Sequence, residues 1–191
     1  MFNELDFKEI DLTKEAPLEE TKRQYYYIAK VRGLIAQKKT EAGKDFTYCL
    51  QTFGCQMNEK QSEVVAGIMD QMGYVRKDTE DADVVIYNTC TVRENANLKV
   101  YGRLGKLHNL KKQNPDMKIV LFGCMMQEEH VVEKIKKDYP FVNLVFGTHN
   151  IFKFAELYSE MLHTDGQLID IWEGTDKIVE ELPTERNYTF K

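Results

Sequence analysis

Residues 46–73, FTYCLQTFGCQMNEKQSEVVAGIMDQMG, contain the unit from which the rest of the chain is built. Phe46 to Phe53 is dense in β-branched and aromatic side chains and reads as a strand. Past Gly54 and Cys55 the period changes. Asn58, with Gln61 three residues on, has the form of a helix start, and Val64, Val65, Ile68, Met69 and Met72 then share one helical face as far as Gly73. Strand, short loop, helix is the grammar of a parallel sheet with crossover helices.

The same unit recurs downstream. Tyr74 to Lys77 reads as a short edge strand and Asp83 to Asn88 as a buried one. Thr91 with Glu94 matches a capping box, opening a helix whose face is Ala96, Val100, Leu104 and Leu107 and which closes by Pro115. Lys118 to Phe122 is another apolar strand. The helix after it runs through Val131, Val132 and Ile135 and stops before Pro140, because the residue preceding a proline is disfavoured in helical conformation. Asn143 to Phe146 is the next strand, Phe154, Leu157, Tyr158, Met161 and Leu162 mark a last helix, and Gln167 to Trp172 reads as an additional strand. Right-handed crossovers then give an α/β, doubly wound, mainly parallel sheet of flavodoxin- or Rossmann-like form, with strand order 2-1-3-4-5. Upstream, Leu18 to Lys39 is a charged helix with Tyr27, Ile28, Val31, Leu34 and Ile35 along one face, ended by Gly43, and its simplest role is an amphipathic extension packed on the main domain. The expected divisions are 1–45 for this helical extension, 46–165 for the sheet domain and 166–191 for an acidic strand and linker.

Three cysteines stand immediately after strand-like runs, in TFGCQMN around Cys55, NTCTVR around Cys90 and FGCMMQ around Cys124. Ligands of open parallel sheets gather at the carboxyl ends of the strands, so three such thiols can share one centre although more than thirty residues separate each from the next. In the expected order the cysteine-bearing strands are neighbours, and with strands ~4.8 Å apart three adjacent ends span roughly 10 Å. Each cysteine also precedes a helix, where unpaired amides and the helix dipole favour thiolate over thiol. Gly54 and Gly123 allow the backbone close to a bulky centre.

Such a set suits zinc with a fourth ligand, or an iron–sulfur cluster with one iron not held by protein. Structural zinc sites use ligand pairs two to four residues apart, and no pair of that kind occurs, so spacing favours the cluster. Cys49 falls inside a strand and reads as a small buried hydrophobe. His149, in Gly-Thr-His-Asn, stands at another strand end, and Arg93 lies three residues after Cys90; either could support the centre, or serve as an ordinary loop histidine and a surface ion-pair partner. Lys134, Lys136 and Lys137 read as a solvated helix face.

Composition limits the alternatives. The chain has 191 residues, 42% hydrophobic, with no stretch long enough to span a membrane and no secretory apolar segment at its start, so a cytoplasmic protein with reduced thiols is expected. Its net charge of −5 is concentrated between Asp165 and Arg186, and no Lys/Arg cluster suited to gripping a phosphate backbone is evident. Phosphate-binding glycine motifs are absent as well, and Asn88-Thr89-Cys90 stands where a phosphate-accepting domain would place an aspartate.

TFGCQMNEKQSE (52–63), NTCTVRENANLKVYGRLGKL (88–107), GCMMQ (123–127) and VNLVFGTHNI (142–151) resemble the amino-terminal domain of the tRNA methylthiotransferases, radical S-adenosylmethionine enzymes, in the branch acting on isopentenyladenosine next to the anticodon. The resemblance runs over about 46–190; Met126 departs from it, standing where a small residue is common. It implies that Cys55, Cys90 and Cys124 bind an auxiliary 4Fe-4S cluster, with Gly54, Asn58, Arg93, Gly123 and His149 as candidates to support it. It also implies that the open iron carries the sulfur species added to carbon 2 of the adenosine. A second 4Fe-4S cluster and S-adenosylmethionine would sit in a following radical domain. That domain's Cys-x-x-x-Cys-x-x-Cys motif is not in this chain, so the expectation is a fragment with no catalytic residue of its own, inactive alone. Its implied partners are a tRNA substrate and the radical domain of the same chain, with no membrane and a monomeric whole enzyme. The competing expectation is a zinc-stabilised, non-catalytic interaction domain.

Overall fold

The computed structural model describes residues 10–91 and 94–171 and, in the second span, side chains from 99 onward. Arg93, Trp172 and the acidic residues from 173 on lie outside the described residues, as does the side chain of Ala96. The elements follow in the order α1 (Glu20–Ala42), β1 (Thr47–Phe53), α2 (Gln56–Gln71), β2 (Val75–Arg76), β3 (Val84–Thr89), α3 (Glu94–Gln113), β4 (Lys118–Gly123), α4 (Glu129–Asp138), β5 (Leu144–Phe146), α5 (Phe154–Met161) and β6 (Leu168–Asp170). Short 3-10 turns at Cys124–Gln127 and Thr148–Lys153 precede α4 and α5.

All strands pair in parallel, in the order β2-β1-β3-β4-β5-β6. The expected order is therefore present, and the additional strand joins as the sixth, with Leu168 beside Leu144. Alternation along each strand divides the core in two. Tyr48, Leu50, Val84, Ile86, Val120, Phe122, Leu144 and Phe146 point to the side covered by α1, α2 and α5. Cys49, Val85, Tyr87, Ile119, Leu121 and Val145 point to the side of α3 and α4. Both faces are covered, so β3 and β4 read as continuous apolar runs rather than alternating ones.

The amino-terminal helix is an integral layer. Tyr25, Ile28, Val31 and Ile35 are buried in the same cluster as α2 and α5, and each such apolar side chain contributes about 1.5–3 kcal/mol by leaving water. The polar contacts aim at α5 too. Arg23 Nε donates to Glu156 Oε2 at 2.9 Å, and fully buried Gln24 accepts from the Glu156 amide at 3.2 Å. Gly43 ends α1 in the left-handed region (φ 64°), its N–H returning to the Lys39 carbonyl. Lys134, Lys136 and Lys137 are exposed, as read from the sequence. No helix among the described residues is long and apolar enough to cross a membrane.

Two helix boundaries need correction: α1 runs from Glu20 to Ala42 rather than from Leu18 to Lys39, with Leu18 exposed ahead of it. Helix α2 begins at Gln56, two residues before the expected start, with Cys55 as its N-cap and Asn58 as its third residue. The Asn58/Gln61 pair is thus not the capping box; Cys55/Asn58 is. A cysteine is outside the usual Ser, Thr, Asp and Asn cap set, which is why the true start was not visible in the pattern.

Candidate metal centre

Register places the three loops. Phe53, Thr89 and Gly123 form one row of partners across β1, β3 and β4 at their carboxyl ends. Cys90 and Cys124 follow that row immediately and Cys55 follows it by two, so all three thiols belong to one rim of three adjacent strands. Cys55 is exposed, Cys124 half-buried and Cys90 buried.

Cys55 is held at the mouth of α2. Its thiol donates to Asn58 Oδ1 at 3.3 Å, and its backbone N–H donates to the same oxygen at 3.2 Å. The N–H groups of Asn58 and Met57 bond back to the sulfur, with a further bond from Cys90, and together they hold the thiol below its ordinary pKa. These are the first-turn amides a helix leaves without internal partners. At Cys124 the balance reverses: burial, then the proximity of Cys90 and Cys55, pushes the thiol up, opposed by a bond from the Asn58 side chain. Among the described residues no group of three His, Cys, Asp or Glu side chains is gathered closely enough to hold a metal ion.

Beneath the thiols lies a polar network that the sequence pattern did not disclose. Asn58 and Asn88 are fully buried. Asn58 Nδ2 donates to Asn88 Oδ1 (2.9 Å) and to the Thr89 carbonyl (3.3 Å), while Asn88 Nδ2 donates to the Asn58 carbonyl (2.6 Å) and Ser62 Oγ (3.0 Å). Ser62 Oγ meets Thr52 Oγ1 at 2.7 Å, and Thr89 Oγ1 donates to the Phe122 carbonyl at 2.9 Å. The available signal was a polar Asn-Thr pair closing the buried run of β3 beside a cysteine, legible only once its neighbour strands are known.

The glycines answer to this network. A Cβ at Gly54 would stand 2.6 Å from Asn58 Cγ. One at Gly123, whose φ is +113°, would meet Asn88 Oδ1 at 2.5 Å and the Thr89 carbonyl. The room each glycine leaves is already taken by asparagine and backbone.

Of the remaining expectations, Cys49 is buried on the α3 side of β1, with Gln51 Nε2 3.8 Å from its sulfur, and burial raises its pKa. That is the behaviour of a core thiol. His149 sits half-buried in the turn after β5, one strand beyond Cys124, and among the described residues no bond joins it to the cysteines. Met126 is fully buried and packs within the α3/α4-side core.

Fold and rim together define a doubly wound α/β domain with three thiols at adjacent strand ends. Residues 47–147 match the family model described as "Uncharacterized protein family UPF0004". The chain belongs to this family, the amino-terminal domain of the methylthiotransferases. Curated relatives agree. A protein of Lachnoclostridium phytofermentans named tRNA-2-methylthio-N(6)-dimethylallyladenosine synthase is 65% identical over 164 residues, covering 86% of this chain and 36% of the relative. Proteins of the same name from Clostridioides difficile and Acetivibrio thermocellus are 45% and 49% identical over 92% and 88% of this chain, or 37% and 35% of their own lengths. The chain thus spans about a third of the length of the curated relatives it matches.

Proposed function

We propose that this chain is the auxiliary-cluster domain of a cytoplasmic tRNA methylthiotransferase, with Cys55, Cys90 and Cys124 binding one 4Fe-4S cluster through three of its irons. The observation that carries this reading is the row Phe53–Thr89–Gly123, which brings three cysteines distant in sequence to one rim. The donor chemistry fits the group: three thiols, one of them held toward thiolate by helix amides, ligate iron as thiolates and leave one iron without a protein ligand. When bound, the cluster would present sulfur to the substrate at that open iron. The chain's own residues supply the rest. The α2 amides steady Cys55, buried Cys90 anchors the inner side, and the glycine-preceded Cys124 loop completes the rim.

The relatives' printed name supports an adenosine of tRNA as the acceptor, modified at carbon 2 with a methylthio group. The whole enzyme, in this reading a monomer, would add a radical domain holding a second 4Fe-4S cluster and S-adenosylmethionine, and an RNA-binding domain; the present chain supplies the sulfur-donor part. Within it, 46–165 form the cluster domain, 1–45 a helical extension and 166–191 the link onward, with Arg93 and His149 as candidates to support the centre. Metal and acid-labile sulfide analysis of anaerobically purified and reconstituted protein tests the reading. About four irons and four sulfides per chain are expected; stoichiometric zinc without sulfide would instead establish a zinc-stabilised interaction domain.

A further inference from the structure

We propose that the Asn58–Asn88 pair is a positioning device that sets the three cysteine loops relative to one another, and through them the retention and reduction potential of the centre. This rests on the reading of Cys55, Cys90 and Cys124 as cluster ligands.

The two amides bond reciprocally. Asn58 reaches Asn88 Oδ1 at 2.9 Å, and Asn88 reaches back to the Asn58 carbonyl at 2.6 Å. The remaining valences of Asn58 go to two cysteine loops: Oδ1 accepts from the Cys55 amide and thiol, and Nδ2 donates to the carbonyl of Thr89, which precedes Cys90. The pair therefore reaches all three loops: Asn58 bonds those of Cys55 and Cys90, and Asn88 Oδ1 lies against Gly123, which precedes Cys124. Among the described residues Asn88 makes no hydrogen bond to a cysteine; it is fixed by Ser62 Oγ at 3.0 Å and holds Asn58 in orientation.

Stability alone does not account for the pair. Burying amides from water costs nearly what their mutual bonds return, and apolar replacements of matching shape are close to neutral. The strands around them, VVIYNT and KIVLFG, are apolar in their interiors apart from Asn88 and Thr89. What the amides add is direction, as outer hydrogen bonds do for metal ligands. Gly54 and Gly123 follow from the same cause, since a Cβ at either would drive into Asn58 or Asn88.

The test compares Asn58→Ala, Asn88→Ala, their double variant, Ser62→Ala and Tyr158→Phe in the anaerobically loaded chain. Tyr158→Phe is the reference, because it removes a buried hydrogen bond to Tyr74, in the same core layer but at the amino-terminal end of the strands, away from the rim. The readouts are the rate of iron release to a chelator, the midpoint potential and the Tm of the unloaded protein. Each Asn variant is expected to release iron about tenfold faster or more. The double variant should be no faster than the worse single one, because Asn88 acts through Asn58. Ser62→Ala, the mildest change and the one that keeps the test usable if an Asn variant folds poorly, should shift release in the same direction. Potentials should move with release, while Tyr158→Phe loses Tm alone. Release that tracks Tm across all variants, or additive Asn effects, or wild-type rates and potentials in the Asn and Ser62 variants of a chain that loads normally, would overturn the positioning role alone. A wild-type chain that takes up no stoichiometric iron and sulfide would overturn both this role and the cluster reading beneath it.

Discussion

Glu80 buries a carboxylate on the α3 side of the sheet with 5% of its surface exposed. The Tyr87 hydroxyl donates to it, Arg103 reaches it at 2.6 Å and Lys106 at 2.9 Å. Burial pushes its pKa up, but these three partners outweigh burial and hold it below its ordinary value of 4.5. The folded carboxyl therefore resists protonation more than the unfolded one. Its stabilisation is whole above the ordinary carboxylate range and is lost as the pH falls through the lowered folded value. Glu80→Gln is expected to reduce unfolding free energy at neutral pH by about 1–3 kcal/mol. It should also flatten the acid side of the stability profile, which urea titrations at several pH values would read. Gly123→Ala tests the rim itself. It combines a positive φ with a blocked Cβ position, so a loss of ~2 kcal/mol or more is expected in the same measurement. At this scale the sequence showed Cys55, Cys90 and Cys124 plainly, because thiols after strands are rare and conspicuous. It concealed Asn88, whose role depends on a partner thirty residues away and across a strand.

Among the elements, α1 carries the largest consequence for folding. It supplies fully buried Ile28 and nearly buried Val31 and Ile35 to the layer beneath α2 and α5. Ile28→Ala is expected to lower unfolding free energy by about 2–5 kcal/mol in equilibrium denaturation, a core value rather than the near-zero change of a loosely attached helix. The helix itself was legible from its apolar spacing and from Gly43. Its depth was not, because Arg23 and Gln24 look like surface residues until Glu156 of α5 is placed opposite them. Strand positions were recovered to within a residue or so, since apolar runs bounded by Gly, Asn and Asp leave little choice. The start of α2 was missed because the capping side chain is a sulfhydryl, and a pattern tuned to oxygen caps skips over it to Asn58.

In the whole molecule, order 2-1-3-4-5 follows from single-helix crossovers and puts β1, β3 and β4 side by side. This adjacency, more than any single residue, makes one centre from three remote cysteines. It was legible because parallel pairing with right-handed crossovers leaves few topologies; the depth of each thiol was not, since Cys55 stands exposed while Cys90 is buried one strand away. The fourth cysteine supplies an internal control: Cys49 lies within β1, buried in the α3-side core and apart from the rim. The decisive measurement is iron and acid-labile sulfide per chain after anaerobic reconstitution of Cys49→Ala, Cys55→Ala, Cys90→Ala and Cys124→Ala beside the unaltered protein. The expected result is about four irons in the parent and in Cys49→Ala, with loading disrupted in each of the other three. Undiminished loading in any of those three, or loss that follows Cys49 instead, would contradict a centre shared by Cys55, Cys90 and Cys124.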